Sequence, residues 1–290
     1  MQNFSLHTHT KGFDGQDDVE QMVESALKAG LKTLGISNHF IVWPDIRQTK
    51  MYAYSVKGGY SGIYSATFDE AIEKFKSNYD QIDQAKAKTD ITLLKGMEVD
   101  FFDTPQWRAG FEKAIDILKP DYIIGSAHFI HTERGLWNCH DMKRASASEQ
   151  EQGLHTYWQN VRQAATSGYF DFMAHLDLMK KAGLGKDEKW IAQEEKTATC
   201  LSDFNVCAEM NTSCYGWAQE AYPSFRIMQM LSKYGVSMLI SDDAHKAQDI
   251  ARNFARAEQD AAVNHVKLLS HPVLKSRHKR GVGSVFCHQR

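Results

Sequence analysis

Apolar positions along the chain follow two alternating rhythms. Short runs rich in β-branched and aromatic residues read as seven strands: FSLHTH (4–9), TLGISNHF (33–40), TLLKGMEVDFF (92–102), YIIGSAHF (122–129), FDFMAHLDL (170–178), VCAEMNT (206–212) and SMLISDDAH (237–245). Between them apolar residues fall at helical spacing, as in Val19, Met22, Val23, Ala26 and Leu27, then Phe68, Ile72, Phe75, Tyr79 and Ile82. Gly30, Gly168 and Gly235 each stand between a helical stretch and the next strand, where a residue free to turn left-handed ends a helix. Repeated strand-helix units call for parallel strands with right-handed crossovers. Seven such units predict an α/β fold, a distorted seven-stranded (β/α)7 TIM-like barrel, as a single domain over residues 1–290. No G-x-G-x-x-G or Walker loop follows a strand, so a dinucleotide or nucleotide fold loses its usual support.

Two segments break the rhythm. KMYAYSVKGGYSGIYSA (50–66) carries tyrosines and glycines without a clear period and reads as a lid-like loop insertion after the second strand. Residues 266–290 form a cationic C-terminal segment, read as solvated.

Composition narrows the picture. Lys and Arg number 34 against 36 for Asp and Glu, a net charge of -2 that leaves no cationic surplus to attract long nucleic acid or anionic lipid. Hydrophobic residues at 42% can furnish a packed core. No window approaches the ~18 uninterrupted apolar residues of a membrane span, and MQNFSLHTHT lacks the features of a secretory leader. A cytoplasmic protein with no membrane partner is expected, and its oligomeric state is left open. Five scattered cysteines, with no C-x-x-C pair, read as reduced thiols.

The histidines carry the chemistry. His7 and His9 lie two apart on a strand, so both imidazoles project from one face. His39, Glu98, His128 and His175 each sit near the C-terminal end of a different predicted strand, Asp243 and His245 share the end of another, and barrels build active sites at that end. Asp14, in the loop after the first strand, reaches the same rim, with Asp17 and Asp18 close enough to compete. Imidazole and carboxylate without thiolate suit Zn, Mn or Fe. Nine ligands exceed the needs of one ion, so two to three divalent transition-metal ions are expected, with Glu98 able to bridge. Ions spaced a few Å apart activate water and clamp a phosphoryl group, and hydrolysis of a small phosphorylated substrate follows.

At these residues the chain resembles the PHP (polymerase and histidinol phosphatase) superfamily, and more closely its monofunctional histidinol-phosphate phosphatases. The resemblance lies in LHTHTKGFDG, the DDVEQMVESALKAGLKTLGISNH that follows, GMEVDFF, GSAHFIH, YWQNVRQAATSGYFDFMAHLDLMKK, EMNTS and SDDAHKAQDI. It implies a (β/α)7 barrel with a trinuclear centre: a first metal on His7, His9, Glu98 and Asp243, a second on Glu98, His128 and His175, and a third on Asp14, His39 and His245. Asp242 would orient a ligand histidine.

After EMNTS the family often carries arginine, whereas CYGWAQEAYPS has no cation before Arg226, and IHTERGLWNCHDMKR offers Arg134, Lys143 and Arg144 instead. Arg134 is the first expectation for a phosphate contact, since a guanidinium binds two phosphate oxygens at once. Lys180 and Lys181 come next. Glu98 and Asp243 are the catalytic centre's carboxylates, and Asp177 or His131 would protonate the leaving group. The expected activity is metal-dependent phosphomonoester hydrolysis, L-histidinol phosphate to L-histidinol and phosphate. The alternatives are a PHP-type phosphoesterase on another small metabolite or nucleotide, mono- or diester, and a non-catalytic metal-binding domain.

Overall fold

The computed structural model describes residues 2–132, 135–272 and 274. Its strands are β1 (Phe4–Ser5), β2 (Thr33–Ile36), β3 (His39–Val42), β4 (Tyr64–Ser65), β5 (Thr92–Lys95), β6 (Glu98–Asp100), β7 (Ile124–Ser126), β8 (Phe129–Thr132), β9 (Gly135–Asn138), β10 (Phe172–Met173), β11 (Cys207–Asn211) and β12 (Met238–Ser241). The helices are α1 (Val19–Lys28), α2 (Lys50–Gly58), α3 (Phe68–Lys86), α4 (Pro105–Leu118), α5 (Ala147–Thr166), α6 (Ile191–Asp203), α7 (Tyr215–Ala218), α8 (Phe225–Lys233) and α9 (Phe254–Val263). Among the described residues no helix is long and apolar enough to cross a membrane.

Local chemistry sets the helix limits. Asp18 caps α1 by accepting the Gln21 N–H while the Gln21 side chain returns to the Asp18 N–H, a reciprocal capping box. The helix buries Val19, Met22, Val23 and Ala26 but leaves Leu27 48% exposed, so the apolar stripe is narrower than the spacing suggests. Thr67 caps α3, which buries Ile72, Phe75, Tyr79 and Ile82 as predicted. Gly30, Gly168 and Gly235 take φ of 77°, 81° and 73° at their helix ends.

The architecture is α/β, with parallel strands and helices packed around them. One sheet orders β1-β2-β5 and a second β12-β11-β10-β7-β6-β3-β4. After breaks at residues 37–38 and 96–97, β2 passes into β3 and β5 into β6. The expected seven-stranded barrel does not appear as one continuous closed ladder. β1 pairs over only two residues, and the link from β1 to β12 is an isolated bridge, Thr8 to Ala244, with the His9 N–H donating to Ala244 O at 2.8 Å. Among the described strand pairs only the β8-β9 hairpin, which the sequence pattern did not announce, is antiparallel. Phe40, Phe75 and Phe111 pack at 5.4 and 5.5 Å between sheet and helices. A second cluster, including Phe4, Leu6, Tyr122, Ile124, Phe172 and Leu239, comes from the strands and their flanks. Each fully buried aromatic contributes about 1.5–3 kcal/mol.

Segment 50–66 is not a loop. Thr49 caps α2 by accepting the Tyr52 N–H at 3.1 Å, and Gly59, at φ 76°, ends it. Because α2 buries only Ser55, it carries no apolar stripe for a sequence reading to find. Of the segment 266–290, Lys267 O and the Leu269 N–H hydrogen-bond to Met238, and residues 273 and 275–290 lie outside the described residues.

Candidate metal centre

The strand ends converge on one carboxylate. Glu98 opens β6 in register with His39 on β3. Its Oε2 lies 3.3 Å from His7 Nε2, 3.6 Å from His9 Nε2 and 2.8 Å from His39 Nδ1. Its Oε1 lies 3.4 Å from His128 Nε2 and 3.0 Å from His175 Nε2. Asp243 Oδ1 stands 3.6 Å from His7 Nε2, 3.2 Å from His9 Nε2 and 3.6 Å from His245 Nδ1. Asp14 lies 3.5 Å from His9 Nδ1, 3.2 Å from His39 Nε2 and 3.1 Å from His245 Nε2. All nine residues singled out in the sequence are therefore brought together.

The loop settles which aspartate points inward. A Cβ at Gly15 would fall 2.5 Å from His9 O, so the segment carrying Asp14 can lie against His9 only with glycine there. Asp18 caps α1, and Asp17 accepts the Ala247 N–H at 2.7 Å.

Ligand atoms converge in four overlapping groups: His9, Asp14, His39 and His245; His7, His9 and Asp243; His7, Glu98 and His175; His39, Glu98 and His128. Several of these atoms are buried without a hydrogen-bond partner, among them His7 Nε2, both ring nitrogens of His9, His39 Nδ1, Asp14 Oδ1 and Glu98 Oε2. Orphaned buried donors and acceptors are costly. Converging lone pairs of imidazole and carboxylate fit divalent ions of the Zn, Mn or Fe type.

In the metal-free state, protons occupy this role. Burial alone would lower the His7 pKa, but Glu209, Glu98 and Asp243 hold it well above its ordinary value. Burial is likewise outweighed at His39 by Glu98 and Asp14, and at His128 by Asp100 and Glu98, so both are raised. His245 rises to about 9, since Asp14 and Asp243 overcome its burial. His9 is the exception, lowered to about 4 by burial and by its neighbours His245 and His39. Burial would raise Glu98, yet His39, His7 and His128 hold it well below the usual carboxylate range, and the surrounding histidines do the same for Asp14 and Asp243.

Two carboxylates behind the ligands escaped the sequence reading. Glu209 accepts from His7 Nδ1 at 2.6 Å, and Asp100 accepts from His128 Nδ1 at 2.8 Å. A carboxylate on the far ring nitrogen fixes which nitrogen faces the centre. The usable signal was a charged residue inside a buried strand, in EMN and EVD.

The centre opens into a cavity of about 1330 Å³, walled by Tyr54, Tyr60, Trp137, Trp217 and Tyr222, with Lys50, Arg144, Lys181 and Arg252 as the Lys and Arg side chains that line it. Other expected substrate and proton-transfer residues lie elsewhere. Asp177, Lys180 and Arg226 line a separate cavity of about 240 Å³. There Lys180 sits 3.3 Å from Asp177 and donates to Ala221 O, while Arg226 is paired with Glu194, so these charges are engaged with one another. His131 is exposed on β8 with its ring 5.4 Å from Trp43, and it does not line the main cavity. Arg134 lies outside the described residues. Asp242 does not orient a ligand histidine. Burial raises it to about 7, and its carboxyl accepts from Ser5 Oγ and the Ala251 N–H. Arg252, absent from the sequence reading, donates to Asp242 O at 2.7 Å.

Comparison with known proteins gives a consistent picture. The PHP domain family model matches residues 5–213. A curated relative from Deinococcus radiodurans, named as a probable histidinol-phosphatase, is 29% identical over 172 residues, 57% of this chain. The chain spans 62% of the length of that relative. A relative of the same name from Schizosaccharomyces pombe is 22% identical over 282 residues, covering 88% of this chain and 84% of its own length. Among solved structures, a candidate histidinol phosphatase from Listeria monocytogenes matches with a TM-score of 0.69 at 20% identity, over 87% of this chain and 99% of that one. Histidinol phosphate phosphatase from Lactococcus lactis, solved with zinc, L-histidinol and phosphate, matches with a TM-score of 0.67 at 15% identity, over 92% of this chain and 95% of that one. At these identities the structural likeness speaks to the fold.

Proposed function

Because the chain belongs to the PHP domain family, we propose that it is a metal-dependent phosphomonoesterase whose substrate is L-histidinol phosphate. The observation that carries this reading is the buried set of nine histidine, aspartate and glutamate side chains at the floor of an open cavity, with ligand atoms unpartnered and converging. The names of the two curated relatives support the choice of substrate. In this reading the seven parallel strand positions form a distorted (β/α)7 barrel, residues 1–290 act as one unit, and the enzyme works in the cytoplasm.

The centre would be held by His7, His9, Asp14, His39, Glu98, His128, His175, Asp243 and His245. Bound there, two or three divalent ions supply activation of water near neutral pH and neutralisation of phosphoryl charge. The chain's own contribution is placement. Glu98 is shared among five imidazoles and so fixes their spacing. Lys181, on the cavity wall, offers an ammonium to the phosphate, and the aromatic wall receives the alcohol portion of the ester. Lys181→Ala is expected to raise KM about tenfold with metal content unchanged, the scale of one charge-assisted hydrogen bond. An unaltered KM would remove Lys181 from the site.

The proposal is tested by assaying metal-loaded protein against L-histidinol phosphate, other monoesters and diesters. Preferential hydrolysis of histidinol phosphate is expected, and inactivity toward every monoester would overturn it. The size of the cavity, about 1330 Å³, favours a second reading, a larger phosphorylated metabolite or nucleotide, which the same panel detects.

Ion loading should also be coupled to protons. His7, His39, His128 and His245 hold protons above their ordinary pKa in the metal-free state and must surrender them to become ligands. Zinc titrations near pH 7 should therefore release protons, and apparent binding heats should differ between buffers of different ionisation enthalpy. Heats independent of buffer would contradict this assignment.

A further inference from the structure

Glu209 does more than orient one imidazole. It is wholly buried on β11 and accepts from four donors. Oε1 takes His7 Nδ1 at 2.6 Å and the Ser241 hydroxyl, while Oε2 takes the His175 backbone N–H at 2.9 Å and Asn211 Nδ2 at 3.1 Å. Asn211 Nδ2 also lies 3.3 Å from Asp243 Oδ2. One side chain thus grips the ring of a ligand at the start of the chain and the backbone of another after β10, and reaches a third after β12 through an amide. Asp100, by contrast, spends both oxygens on His128, accepting from its ring at 2.8 Å and its backbone N–H at 2.7 Å. No hydrogen bond of Glu209 among the described residues extends to Asp14, His39 or His245.

We propose that Glu209 is a positioning residue that couples two ion positions, those built on His7, His9 and Asp243 and on His7, Glu98 and His175, so that they fill and empty together. The position built on His9, Asp14, His39 and His245 shares His9 with the first of these, but Glu209 reaches none of Asp14, His39 and His245, so it lies outside this coupling. The inference rests on the metal-centre reading above. Its physical basis is that both coupled groups share His7, and Glu209 holds that ring with Nε2 turned inward. The same carboxylate also fixes the backbone that carries His175. Four donors around one side chain demand an acceptor at every corner. Glutamine has the same shape, but its amide end would point N–H groups at two of those donors.

The test compares full-length wild type with Glu209→Gln. Each is loaded with zinc, equilibrated at graded free Zn²⁺ in a metal buffer, and its bound ions are counted by mass spectrometry. Two ions should leave together, at free zinc about 10- to 100-fold higher than in wild type, the usual scale for losing a carboxylate behind a ligand histidine. The remaining ion should be unmoved. Ser241→Ala, which removes one donor to Glu209 without touching a ligand, should shift the same two ions by less, and it carries the test if Glu209→Gln lacks a native circular dichroism spectrum. An equal shift of all ions, separate departure of the two, or no shift in either variant would overturn the coupling. Since the count is of ions and not turnover, an enzyme inactive on histidinol phosphate that still shows the paired shift would sink the proposed substrate and leave the coupling standing.

Discussion

Glu98→Ala is expected to empty the centre and to lower phosphomonoester turnover by at least about a thousandfold, the upper range for removing a single electrostatic group from an active site. The expectation is this large because the Glu98 carboxylate lies within 3.6 Å of five imidazoles, His7, His9, His39, His128 and His175. Without it, two of the four ligand groups lose their only carboxylate. His9→Ala should behave similarly, since His9 belongs to two groups. Metal analysis and circular dichroism accompany the assay. A well-folded Glu98→Ala protein with wild-type metal content and turnover would refute the shared-carboxylate centre.

Much of this centre was legible in the sequence because parallel strands place their C-terminal ends on one side, and six of the seven short apolar runs carried a histidine or carboxylate there. Asp14 was less legible. Nothing in FDGQDD says which aspartate turns inward, and the choice depends on the close approach of Gly15 to His9 O. Glu209 and Asp100 were missed for a related reason: a carboxylate inside a strand gives no hint of its partner until β11 and β6 are placed beside the histidines. Lys180 and Lys181 show the limit most plainly. They are adjacent in sequence, yet a short 3-10 turn over Leu178–Ala182 sends Lys180 to Asp177 and leaves Lys181 on the main cavity. Arg252 lies well beyond the last strand and becomes visible only through its hydrogen bond to Asp242 O.

Removing the ions with a chelator is expected to reduce activity to background, restorable by Zn²⁺ or Mn²⁺, and to leave a folded protein with a new dependence of stability on pH. The reason lies in the protons that take over the site. In the metal-free chain His7, His39, His128 and His245 have folded-state pKa values above the ordinary 6.5. Their contribution to stability is fully present below pH 6.5 and disappears as pH rises through the folded values, about 9 for His245. Asp14, Glu98 and Asp243 are held below their ordinary values of 3.8, 4.5 and 3.8, so their contribution is present above those values and is lost only as pH falls through the depressed ones. Metal-free protein should therefore be most stable between about pH 4.5 and 6.5, and its Tm should fall on the order of 5 °C by pH 9.5, as buried carboxylates lose their cationic partners. The loaded protein should not show this alkaline loss, because its imidazoles are already neutral ligands and ion affinity strengthens as competing protons leave. Thermal melts of both forms across this range check the expectation. A metal-free Tm that stays flat from pH 6 to 9.5, or full turnover in protein verified to be free of metal, would overturn the account of a site balanced between protons and ions.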